Sequence, residues 1–95
     1  MMKMYTSEKM VKLETDMTPR TAGNFNFYIS NLQSEVYFEM GDRCINAKSL
    51  LGILSLALRE DNIINIKIEN IESVENAKRD LKKVRTFFEY EIGTK

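Results

Sequence analysis

The stretch Ile45-Asn46-Ala47-Lys48-Ser49-Leu50-Leu51-Gly52-Ile53-Leu54-Ser55-Leu56 decides how the chain is read, because it passes from an extended segment into a helix. Apolar side chains run almost unbroken over residues 50–58, far short of the roughly 20 that a membrane span needs. Near-continuous hydrophobicity at that length predicts a short helix with much of its circumference covered. Ser49 stands where the helix starts, and a serine hydroxyl suits the N-cap because it accepts one of the N–H groups the first turn leaves free. Asp61-Asn62 is expected to close the block.

Working outward, Val36, Phe38 and Met40 alternate with Tyr37 and Glu39, Gly41-Asp42 offers a turn, and Cys44-Ile45 begins a return, which together predict a hairpin. On the other side Ile64, Ile66 and Ile68 alternate with Asn65, Lys67 and Glu69, the period of a strand with one buried face. Nearer the N-terminus, residues 9–13 form a short strand that runs into a cluster of turn and cap residues. Thr18 is an N-cap there and Pro19 suits the first helical position. Ala22, Phe25, Ile29 and Leu32 then share one helical face. In the last segment Val74, Ala77, Leu81, Val84 and Phe88 do the same, with Glu72 and Glu75 near its start, where negative charge favours the helix dipole. The order strand, helix, strand, strand, helix, strand, helix predicts an α+β fold. Its four-stranded antiparallel sheet is covered on one face by three helices.

With 95 residues, 43% of them hydrophobic, the chain suffices for one core, and residues 1–95 are read as a single domain. Its 14 basic and 14 acidic residues cancel, so no global charge draws it to nucleic acid or an anionic membrane, and a charged partner must be met locally. Cys44 has no second thiol to pair with, and no basic-then-apolar export signal opens the sequence, so a cytoplasmic protein is expected. The chain has no histidine and no cysteine cluster, hence no transition-metal set, no cofactor is implied, and Glu89 and Glu91 make no defensible acid–base pair. No catalytic site, and no enzyme, is expected. Lys78, Lys82 and Arg85 line one face of the last helix, with Arg79 and Lys83 beside them; such a stripe is ordinarily solvated but suits an acidic partner or phosphates.

The quoted stretch is similar to the regulatory-serine segment of the HPr family, the phosphocarriers of the sugar phosphotransferase system, with its pattern Lys-Ser-apolar-apolar-Gly-apolar-apolar-Ser-Leu. Length and element order match as well, so the resemblance runs from about Lys9 to Phe88 and implies the HPr-like open-faced sandwich. Counting back without a gap, the family's active loop, which usually reads Gly-Ile-His-Ala-Arg-Pro, falls on Asp16-Met17-Thr18-Pro19-Arg20-Thr21. Only the arginine is kept, and Thr18 stands at the phosphohistidine position. An imidazole nitrogen is nucleophilic at neutral pH and its phosphoramidate is labile. A threonine hydroxyl is neither so nucleophilic nor able to hold phosphate at high transfer potential.

The resemblance therefore implies a divergent member without carrier activity, similar in that respect to the catabolite-repression HPr homologue. Ser49 is the implied site of regulatory phosphorylation, a role compatible with its capping one. Arg20 and Lys48 are the implied anion- or partner-binding cations, and Leu50, Leu51 and Leu54 the implied apolar partner patch. Implied partners are proteins, namely an HPr-type kinase and a transcription regulator or phosphotransferase component, with neither nucleic acid nor membrane bound directly and the chain a monomer or homodimer. Two other classes compete. One is a structural or interaction subunit unrelated to sugar regulation. The other is a ferredoxin-like nucleic-acid module, against which stands the lack of base-stacking aromatics among Met10, Val11, Leu13, Cys44 and Ile45.

Overall fold

In the computed structural model, which describes residues 3–95, seven elements follow in the expected order. They are β1 (Tyr5–Lys12), α1 (Pro19–Ile29), β2 (Glu35–Met40), β3 (Arg43–Asn46), α2 (Leu50–Leu56), β4 (Ile63–Asn70) and α3 (Val74–Glu91). The strands form one sheet in the order β1-β4-β2-β3, every pairing antiparallel. β4 sits inside it because its isoleucines at 64, 66 and 68, all fully buried, give one face to the core. Val36 and Phe38 of β2 lie opposite Ile68 and Ile66 and extend that apolar surface. The two-residue turn between β2 and β3 has Gly41 at φ 63, a conformation side chains rarely adopt.

All three helices cover this face, and the opposite face is open. Phe25 of α1 meets Phe38 at 5.3 Å between ring centroids, and Phe87 and Phe88 of α3 at 5.1 and 5.6 Å, so a four-ring cluster joins two helices to the sheet. Asp80, on the buried side of α3, breaks the apolar stripe. The Ser34 hydroxyl donates to its Oδ2 at 2.6 Å and itself accepts from the Asn70 amide at 2.9 Å, linking α3, the end of β4 and the loop before β2.

The element boundaries differ from expectation in four places. β1 begins at Tyr5 rather than residue 9, because β4 pairs along its whole length from Tyr5↔Asn70 to Lys12↔Ile63, although Thr6, Ser7 and Glu8 carry no apolar pattern. α1 stops at Ile29, leaving Leu32 half-buried beyond it. α2 ends at Leu56, not at Asp61-Asn62: Ala57 turns into the left-handed region at φ 48, and Leu58 reaches the core from the following loop. α3 begins after Ser73, whose side chain accepts from Asn76 N–H; Glu72 precedes the helix and only Glu75 lies in its first turn.

Candidate functional site

The start of α1 meets the end of α2, and the start of α2 lies beside the later part of α1. Thr18 precedes α1 in extended conformation, and its Oγ1 accepts from Thr21 N–H at 3.1 Å while donating to Thr21 Oγ1 at 3.0 Å. The hydroxyl thus caps the helix with one bond and donates its proton in the other. Pro19, at the first helical position, removes an N–H that would have had no partner. Arg20 follows on the exposed first turn, with no ion pair among the described residues.

The preceding loop is tied to the loop after α2: Met17 N–H donates to Leu58 O at 3.0 Å, and Glu60 N–H to the Asp16 carboxylate at 2.7 Å. Between them lies a groove of about 340 Å³ whose walls include Thr18, Pro19, Leu54 and Arg59. Arg59 escapes sequence reading. It follows the apolar block with no pattern to mark it, and only the turn at Ala57 brings it to this groove.

At the start of α2 the Ser49 Oγ accepts from Gly52 N–H at 3.1 Å, and its residue is exposed. Glycine fits at position 52 because a Cβ would stand 3.2 Å from Asn46 O, tighter than ordinary contact, and 3.4 Å from Ser49 Oγ, so a larger residue would make its neighbours give by a few tenths of an ångström. The pattern of a serine followed three residues on by glycine thus has a local steric reason. α2 buries only Ile53 and Leu56, while Leu50, Leu51 and Leu54 are 38%, 80% and 38% exposed. Less of its circumference is covered than its composition suggests, because a helix this short lies against the fold along one side only.

Lys48, the expected anion- or partner-binding cation, has one of its Nζ donors engaged within the fold. Its half-buried side chain donates from Nζ to Leu32 O at 2.6 Å, while its own carbonyl accepts from the Asn26 amide at 2.7 Å. It ties the residues before α2 to α1 and to the chain beyond it. The structure therefore brings together Thr18, Leu54 and Arg59 around one groove, sets Ser49 beside the exposed leucines, and bonds Lys48 to Leu32 O and to the Asn26 amide.

Among the described residues no group of acidic or cysteine side chains is arranged to hold a metal ion. No helix among them is long and apolar enough to cross a membrane.

Residues 5–89 match the family described as the PTS HPr component phosphorylation site. The HPr-like protein Crh of Halalkalibacterium halodurans is 32% identical over 65 residues, covering 68% of this chain and 77% of that protein. Among solved structures, the phosphocarrier protein HPr of Bacillus anthracis superposes with a TM-score of 0.72 at 26% identity, covering 90% of this chain and 96% of that one. HPr-C-His from Thermoanaerobacter tengcongensis does so with a TM-score of 0.62 at 29% identity, covering 95% and 99%.

Proposed function

The chain belongs to the HPr family of the sugar phosphotransferase system, and from that premise we propose that it is a regulatory protein-binding module, controlled at Ser49, without histidine phosphocarrier activity. The observation that carries the reading is the contrast between the two caps. Both residues are exposed, but the Thr18 hydroxyl donates to Thr21 Oγ1 as well as accepting from Thr21 N–H, whereas Ser49 Oγ holds a single N–H and precedes three exposed leucines. Phosphate on Ser49 adds charge of about −1.5 to −2 and three acceptor oxygens to an apolar surface. The change falls on what docks there, since the buried side of α2 contributes Ile53 and Leu56 and not Ser49.

Arg20 and the leucines are the contacts for a cytoplasmic protein partner, which by the family relationship is an HPr-type kinase, a transcription regulator or a phosphotransferase component. On this reading the chain is not an enzyme. Incubation with an HPr-type kinase and ATP, read by mass spectrometry, should label Ser49 and leave a Ser49→Ala variant unlabelled. Absence of label, with an authentic HPr labelled in parallel, overturns control at Ser49. Transfer from phosphoenolpyruvate through the first phosphotransferase enzyme should deposit no acid-labile phosphate; its appearance overturns the loss of carrier activity.

A further inference from the structure

We propose that the outer edge of β1, together with the cationic face of α3 beside it, binds an extended acidic peptide segment as a fifth strand of the sheet. The surface is separate from the caps of α1 and α2. Among the described residues β1 pairs with a strand, β4, along one side only, and at its C-terminal end the other side is already in use. Lys95 N–H donates to Lys12 O, and Glu14 N–H to Gly93 O, both at 2.9 Å, around an antiparallel bridge between Leu13 and Thr94. The chain itself thus begins a fifth strand there. Because a strand's main-chain groups alternate in direction, Met10, Glu8 and Thr6 present their N–H and C=O groups along the same edge as Lys12 and Glu14.

Chemistry beside this edge selects the added strand. Side chains of Ser7 and Lys9 point to the helix-covered side, where a groove of about 410 Å³ lies between Ser7 and the α3 residues Lys78, Lys82, Arg85 and Thr86. Lys9 faces Arg85 in the adjoining depression. Among the described residues Lys9, Lys78, Lys82 and Arg85 form no ion pair, and a single carboxylate, Glu89, lines the groove. A strand laid against β1 places every second side chain toward these cations and the others beside Met10 and Glu8 on the open face. The matching segment carries Asp or Glu at alternate positions with apolar residues between them.

Two other occupants fit worse. A second copy paired through its own β1 brings two sets of these cations together, a like-charge contact that opposes edge-to-edge association. A nucleic acid strand finds cations but no aromatic side chain lining either depression on which to stack bases, and it makes no use of a main-chain edge.

The test uses the full chain and an acetylated, amidated Glu-Val-Glu-Val-Glu-Val-Glu peptide. Binding is followed by fluorescence anisotropy, and the amides of Thr6, Glu8 and Met10 by NMR. We expect saturable binding with protection of those three amides. Lys82→Glu with Arg85→Glu should weaken it about tenfold or more, with the far-UV circular dichroism unchanged because both side chains reach solvent. With the peptide antiparallel to β1, as at the Leu13–Thr94 bridge, N-methylation of the valines, whose N–H groups then face β1, should abolish binding, whereas N-methylation of the glutamates, whose N–H groups face away, should leave it.

Equal loss from the two methylations, or equal binding by the isomer Glu-Glu-Glu-Glu-Val-Val-Val, overturns strand addition. Tighter binding of a single-stranded oligonucleotide through the same residues overturns the choice of partner. So does sedimentation showing a dimer whose interface protects Thr6, Glu8 and Met10.

Discussion

Replacing Ser34 by alanine should cost far more than the loss of one hydroxyl suggests, because the residue mediates between two buried polar groups. Ser34, Asn70 and Asp80 are 0%, 2% and 1% exposed, and the serine hydroxyl both donates to the Asp80 carboxylate and accepts from the Asn70 amide. A hydrogen bond to a charged group contributes about 1.5–3 kcal/mol and a neutral one about 0.5–1.5 kcal/mol. The second contact of Asp80, with Arg79 Nε at 3.4 Å, comes from a side chain 54% exposed and adds little. Loss of both serine bonds therefore predicts destabilisation of about 2–4 kcal/mol, a large share of the roughly 5–15 kcal/mol available to a domain. For a chain of this size the melting temperature should fall by about 10–25 °C. Urea unfolding measures the free energy, and Asp80→Asn, which keeps the shape without the charge, completes a double-mutant cycle. A loss below about 0.5 kcal/mol for Ser34→Ala, or strict additivity with Asp80→Asn, would refute the reasoning.

Opposite sides of α2 should respond oppositely. Leu51→Asp, on the exposed side, should leave stability within about 0.5 kcal/mol while slowing Ser49 labelling by an HPr-type kinase, whereas Ile53→Ala on the buried side should cost about 2–5 kcal/mol in urea unfolding. Ala57→Gly should raise the unfolding free energy by about 0.5–1 kcal/mol, since it relieves a left-handed alanine at some entropic cost. The hydrogen bond from Lys95 holds the Asp61 carboxyl below its ordinary value of 3.8. A depressed folded value stabilises above the unfolded one, so any gain over Asp61→Asn should be present above that pH and vanish as pH falls through the depressed value. Thermal melts across the acid range check the sign, and high salt should shrink the difference throughout because both side chains are exposed.

What could be read from the sequence was whatever depended on neighbours along the chain. Thr18 and Ser49 as caps, the turn at Gly41 and the alternation of Ile64, Ile66 and Ile68 are local, and each stands where spacing put it. The N-terminal half of β1 was illegible because Thr6, Ser7 and Glu8 gain strand geometry from β4 and carry no pattern of their own. Asp80 looked like one more charge on α3, and its main partner in the interior, Ser34, itself held by Asn70, is distant in sequence. Within the site, the helix start at Ser49 was visible, but the bond from Lys48 to Leu32 O depends on the fold, and Arg59 had no signal at all. Side-chain destinations set by tertiary contact cannot be read from period alone.

The strand order β1-β4-β2-β3 also fixes when the protein can come into being. β4 is the last but one element in chain order, yet both β1 and the β2–β3 hairpin depend on it for their place in the sheet. A ribosome delivering the chain from its N-terminus therefore releases β1 and α1 long before anything can hold them. Until β4 emerges, the hairpin is the one sheet contact available, and an isolated two-stranded hairpin is marginal in water. Closure then waits for α3, whose Phe87 and Phe88 complete the ring cluster around Phe25. Non-local pairing of this kind makes for slow folding, with hydrophobic surface exposed meanwhile. A nascent chain stalled before β4 presents Ser49 on a peptide without a platform, so the proposed control at Ser49, where it reads the folded surface, would be confined to finished molecules.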